Sequence, residues 1–144
     1  MGKQVTEEMR DHLTELRVGK EVEVETYKFM FGEEDCHYPG TLISGCKQLE
    51  KCVDYASAFV ARREGGVSNL FVHMDADILH PAATCDVMEI VCWIAKEGTK
   101  SRAVNFEMYK IEEYDKEKDF FNMIEPVLCV KGQSTHVLGA WSHS

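Results

Sequence analysis

From Leu42 onward the apolar residues Leu42, Cys46, Leu49, Val53, Ala56 and Val60 recur in steps of four and three. That spacing puts them on one stripe of an α-helix about five turns long. Gly65-Gly66 stops it, because glycine readily takes the left-handed backbone that closes a helix. Before the helix, residues 21–31 alternate with a change of parity: Val22 and Val24 first, then Tyr27, Phe29 and Phe31. Such a phase slip predicts a strand with a bulge. After the glycines four alternating stretches predict strands over 68–79, 87–96, 102–111 and 126–138. An acidic segment, 112–125, is expected as a loop between the last two. At the start of the chain Met9, Leu13 and Leu16 stand at helical spacing, with Thr6 as cap and Gly19 as stop. They predict a helical extension over 1–20.

The predicted order is short helix, strand, long helix, four strands. The strand connections are too short for parallel crossovers, so the sheet should be mainly antiparallel and wrap one long central helix, an α+β architecture. A lone curved sheet leaves an edge strand open, and edge-to-edge dimerisation is expected.

The 144 residues, 44% of them apolar, suffice for one domain spanning 1–144 with its own core. Six cysteines at 36, 46, 52, 85, 92 and 129 form no C-x-x-C pair. They read as small buried hydrophobes in a reducing compartment. The first ten residues are charged and lack an apolar leader core, and no stretch is long enough to span a bilayer. A cytoplasmic protein without a membrane partner is the expectation. Sixteen basic against twenty-five acidic residues, with Arg62-Arg63 as the longest basic cluster, argue against a nucleic acid.

Candidate chemistry concentrates in Asp35-Cys36-His37-Tyr38-Pro39-Gly40-Thr41-Leu42. An acid, an imidazole and a phenol precede the expected helix start, where unbonded backbone N–H groups polarise a carbonyl oxygen. Gly40 would admit a thioester closely, and Gly40 and Thr41 would supply the N–H groups. His73, Asp75, Asp77 and His80 could be read as metal ligands, but the first three also form one polar strand face, and no metal is expected.

The string His37-Tyr38-x-Gly40-x-Leu42-x-x-Gly45 resembles the H-Y-x-G-x-L-x-x-G signature of the β-alanyl-CoA and 3-aminobutyryl-CoA ammonia lyases. Leu70-Phe71-Val72 leading to Pro81 and Asp86, then Phe106-Glu107-x-x-Lys110, then Glu125-Pro126-Val127-Leu128-Cys129 line up in the same order. The chain departs from the pattern at Cys85, where the family has glycine, and by one missing residue between Leu70 and Pro81.

The resemblance implies a hotdog fold and reversible elimination of ammonia from a β-amino acyl-CoA, with no cofactor beyond the CoA of the substrate itself. Glu107 is the first candidate for the base that removes the α-proton and Asp35 the second. His37 or Tyr38 would position the amine or carbonyl, and Gly40, Thr41 and Gly45 make up the oxyanion and substrate-binding set. A homodimer is expected, with a hexamer as a further level of assembly. Thioester hydrolysis, enoyl-CoA hydration and acyl-CoA binding without catalysis use the same fold and stay open.

Overall fold

Ser44 fixes where the long helix begins. Its Oγ accepts a hydrogen bond from Lys47 N at 3.1 Å, satisfying one of the first-turn donors that have no intrahelical acceptor. The computed structural model describes residues 24–36 and 40–139, and the expected N-terminal helix lies outside them. The elements are β1 (Val24–Met30), a short 3-10 turn (Glu33–Asp35), α1 (Gly45–Arg63), β2 (Asn69–Ile78), β3 (Val87–Glu97), β4 (Ser101–Asp115) and β5 (Phe120–Leu138). They form one antiparallel sheet in the order β1-β3-β4-β5-β2, with α1 against one face.

The helix starts three residues later than the apolar stripe predicts. Leu42 and Ile43 are extended instead, bridged to Ala83 and Cys36, and Ile43 N donates to Ala82 O at 2.9 Å. The buried line of α1 is Gln48, Cys52, Ala56, Phe59 and Val60, which shares only its last part with the expected stripe. Cys46, Leu49 and Val53 are turned toward a groove against Phe71 and Met74 of β2. At the other end the glycine stop is as expected. Gly65 and Gly66 have φ of 71° and 89°, and their N–H groups bond Arg62 O and Ala61 O, the pairing that closes a helix on its last free carbonyls.

Strand alternation sorts the sheet into two faces. Met88, Ile90 and Cys92 of β3 and Val104, Phe106 and Met108 of β4 pack with Cys52, Ala56, Phe59 and Val60 of α1. Residues of opposite parity, Val91 and Tyr109, join Ile111 and Trp93 on the other face. All six cysteines are free. Cys52, Cys92 and Cys129 are buried as expected, whereas Cys46 is exposed. Burial pushes the Cys92 thiol up to about 12 and raises Cys52 and Cys129 as well, so all three are protonated at neutral pH.

The expected acidic loop is instead the tip of a long hairpin. Glu112, Glu113, Tyr114 and Asp115 pair with Met123, Asn122, Phe121 and Phe120, leaving only residues 116–119 to turn. Side chains supply the reason. Asp115 Oδ1 accepts from the backbone N–H of Glu117 and Lys118 at 3.0 and 3.2 Å, an aspartate-built turn. Tyr114 packs on Phe121 with ring centroids 5.2 Å apart and donates its hydroxyl to Asp119 at 2.6 Å.

Candidate active site at the start of the long helix

The loop before α1 is stitched to the β2–β3 connection. Thr41 O accepts from Thr84 N at 2.8 Å and Thr84 Oγ1 at 3.0 Å, and Cys36 Sγ lies 3.3 Å from Thr84 Oγ1. Leu79 N donates to Cys129 O at 2.7 Å, which ties the end of β2 to β5. These bonds leave a cavity of about 290 Å³ lined by Leu42, Ile43, Gly45, Gln48, Ile78, Leu79, His80 and Pro81.

Gly45 opens the helix, and its N–H and that of Cys46 have no intrahelical acceptor, so they are the donors a bound carbonyl oxygen would meet. A Cβ on Gly45 would stand 2.5 Å from Ile78 Cδ1, so glycine keeps this wall open. His80 Nδ1 lies 2.7 Å from Pro81 O. A carbonyl only accepts, so Nδ1 carries a proton there, and Nε2 is the ring nitrogen left to accept one. Gln48 is 1% exposed, and its Oε1 has no hydrogen-bond partner among the described residues.

The expected site residues separate. Gly45 is in the cavity wall. Gly40 and Thr41 precede the helix by several residues, so their N–H groups are not its first donors; Gly40 has φ of 102° and serves the turn of the chain. Asp35 is buried, and its Oδ2 accepts from Gly32 N at 2.9 Å, closing the 3-10 turn. His37 and Tyr38 lie outside the described residues.

Glu107, the first candidate base, is on the sheet face away from α1. It alternates with Phe106 and Met108 of the helix-side core and takes a hydrogen bond from Tyr109 Oη at 2.8 Å. It is buried there, where parity alone suggests solvent. Lys110 of the same segment meets Asp86 of the preceding one: Lys110 Nζ lies 3.1 Å from Asp86 Oδ2.

His80 and Gln48 were not expected here. His80 enters the sequence reading only beside possible metal ligands. Among the described residues no three His, Cys, Asp or Glu side chains stand close enough to hold a metal ion. Gln48 falls between the residues of the apolar stripe, so only the true rotation of the helix reveals it.

A hydroxyl–imidazole–amide chain occurs elsewhere. Ser134 Oγ lies 2.7 Å from His136 Nε2, and His136 Nδ1 lies 3.0 Å from Asn69 Oδ1. Ser134 and His136 are fully buried, and neither lines the cavity at the helix start. The chain joins β5 to β2 and to Ser57 of α1.

No protein-family model matches the chain, and no curated protein matches it by sequence. Solved structures do match. The β-alanyl-CoA:ammonia lyase from Clostridium propionicum superposes with a TM-score of 0.71 at 24% identity, over 82% of this chain and 86% of that one. The 4-hydroxybenzoyl CoA thioesterase from Pseudomonas gives 0.63 at 13% identity, over 80% and 84%. This is a hotdog fold. An acyl-CoA hydrolase from Staphylococcus aureus, solved with coenzyme A, shares the hotdog at a TM-score of 0.65 and 16% identity, over 80% of this chain and 64% of that one. A hexameric thioesterase from Yersinia pestis gives 0.65 at 18%, over 78% and 85%. No described helix of this hotdog is long and apolar enough to cross a membrane.

Proposed function

We propose that the chain is a carbon–nitrogen lyase that eliminates ammonia from a β-amino acyl-CoA and, in reverse, adds ammonia to an enoyl-CoA. The observation that carries the reading is one cavity lined by the helix-start residue Gly45, the His80 imidazole with its Nδ1 on Pro81 O, the Gln48 amide and otherwise apolar side chains. The sequence likeness to the ammonia lyases and the fold shared with one of them support it.

In this reading the thioester carbonyl accepts from the Gly45 and Cys46 N–H groups, which acidifies the α-carbon and holds the enolate oxygen. His80 Nε2 takes the α-proton. The electron pair forms the α–β double bond, and the β-ammonium group leaves as neutral ammonia with its bonding pair. The proton stays on His80 until solvent removes it. His37 and Tyr38, a few residues before Gly45 in sequence, are candidates for holding the departing nitrogen. The CoA of the substrate is the only cofactor in this scheme.

We place the self-association surface at β2. It is an edge strand, and Val72 and Leu79 on and beside it are 52% and 55% exposed. Pairing of two copies along β2 would satisfy its free backbone groups and border the cavity at Ile78 and Leu79. A hexamer, the state of the Yersinia pestis thioesterase, would be a further level of assembly.

Thioester hydrolysis is the second reading, favoured by the hydrolases among the similar structures. His80 would then activate a water instead. Incubating the protein with acrylyl-CoA or crotonyl-CoA in ammonium buffer separates the two: loss of enoyl absorbance with an amino acyl-CoA by mass supports the lyase. Release of free CoA supports hydrolysis.

A further inference from the structure

We propose that Gln48 selects acyl chains that carry an N–H donor at the β-carbon; this rests on the reading that the cavity takes a β-amino acyl thioester. Gln48 lies three residues beyond Gly45, one turn along the same helix face, and both line the cavity. Its neighbours there are Leu42, Ile43, Ile78 and Leu79, so Gln48 and His80 are the polar side chains of an otherwise apolar lining. It is 1% exposed, and its Oε1 has no partner among the described residues. A buried amide oxygen without a donor is unfavourable, since folding has stripped its water and returned nothing. A ligand that brings an N–H to that point restores the bond, and an ammonium group restores it with charge assistance.

The geometry divides the work of the site. The helix-start N–H groups hold the carbonyl end of the acyl chain, and Gln48, a turn deeper, meets the substituent two carbons away. A plain hydrocarbon chain fits the volume but leaves the amide oxygen stranded. Sites built around a hydrogen bond reject the analogue lacking its partner far more strongly than apolar pockets reject a missing methylene. Gln48 is therefore a specificity residue, and proton transfer belongs to His80.

The test uses two unreactive thioethers, S-(3-aminopropyl)-CoA and S-propyl-CoA, which lack the carbonyl and cannot undergo elimination. Calorimetric titration of the full chain should show the amine bound about 30-fold more tightly, the scale of one charge-assisted hydrogen bond. Gln48→Met, of similar length and shape, should bring the two affinities within about threefold while leaving S-propyl-CoA bound as well or better. Gln48→Glu, which keeps an acceptor, should retain the preference. Gln48→Met should also raise the Tm by roughly 4 °C, because it removes the orphaned oxygen; a lower Tm would mean the amide has a partner in the fold and would overturn the proposal. So would equal affinities in the unmodified chain, or a preference that survives Gln48→Met. The ammonia-addition assay is read separately. A preference that depends on Gln48 without turnover leaves this inference standing and removes the lyase reading. Turnover with a preference indifferent to Gln48 does the reverse.

Discussion

Lys110 Nζ and Asp86 Oδ2 lie 3.1 Å apart with both side chains more than nine-tenths buried, and the same Asp86 oxygen accepts from Ala83 N at 2.7 Å. Burial alone would lower the lysine's pKa, but the charge and hydrogen bond of Asp86 outweigh it and hold the value above the ordinary one. The pair fastens β4 to the loop that walls the candidate site. Lys110→Met strands the buried Asp86 carboxylate and should destabilise the fold by roughly 3–5 kcal/mol, whereas Asp86→Asn leaves Lys110 Nζ beside Glu113 Oε1 at 3.5 Å and should cost less. The double variant should cost less than the sum of the two. Urea unfolding of the three variants checks this, and additive losses would show that the charges do not depend on one another.

His136 predicts acid sensitivity. Burial lowers its pKa from 6.5 to about 4, so the unfolded chain takes a proton there before the folded one does. Stability is then lost progressively as pH falls from about 6.5 toward 4, by about 3 kcal/mol. His136→Gln should flatten that part of the pH–stability curve, measured by thermal unfolding between pH 7 and 4. An unchanged slope would place the sensitivity in the carboxylates.

The two candidate bases separate kinetically. His80→Gln should lower kcat for ammonia addition by 10²–10⁴-fold, the usual contribution of a general base, with little change in KM. Glu107→Gln, on the far side of the sheet, should keep kcat within a few-fold. The opposite pattern would return the chemistry to Glu107 and require a second copy to bring it to the site.

Gly45→Ala tests the cavity wall. The added methyl meets the end of a flexible side chain, Ile78 Cδ1, which can swing aside, and alanine is the better helix former by about 1 kcal/mol. The variant should fold with stability unchanged or slightly raised. Its kcat/KM should fall at least tenfold, because the displaced isoleucine and the new methyl both enter the acyl space. Adding Ile78→Val should recover part of the loss.

Self-association along β2 should respond to charge on the open edge. Val72→Lys places a positive charge where two copies would meet, and light scattering should report a smaller particle than the unmodified chain gives. A particle of the same size would move the contact to another surface.

The sequence announces the architecture because long-period patterns survive: a five-turn apolar repeat closed by Gly65-Gly66, then four alternating stretches, leave little besides one helix on one antiparallel sheet. It misplaces what depends on single side chains. Two bridges and the Ser44 cap shift the helix start past Leu42, which rotates Gln48 inward and Cys46 outward. Asp115 and Tyr114 turn an acidic stretch into a hairpin tip. Glu107 shows the limit of a motif: the likeness locates the strand, but a two-residue period decides which face the carboxylate occupies, and the segment's lysine proves to be a structural partner of Asp86. His80 is legible in the sequence only as a histidine after a strand, since its place beside Gly45 depends on Leu79 and Cys129 joining β2 to β5.

Cys46 gives the molecule a native reporter. The thiols of Cys52, Cys92 and Cys129 are sealed in and protonated, Cys36 and Cys85 are half-covered, and Cys46 alone is open, at the second residue of α1. A maleimide or disulfide dye at neutral pH should react there first. Cys46 also lines the groove beside β2. Its labelling rate would therefore register a molecule settling in that groove, without altering one residue of the chain.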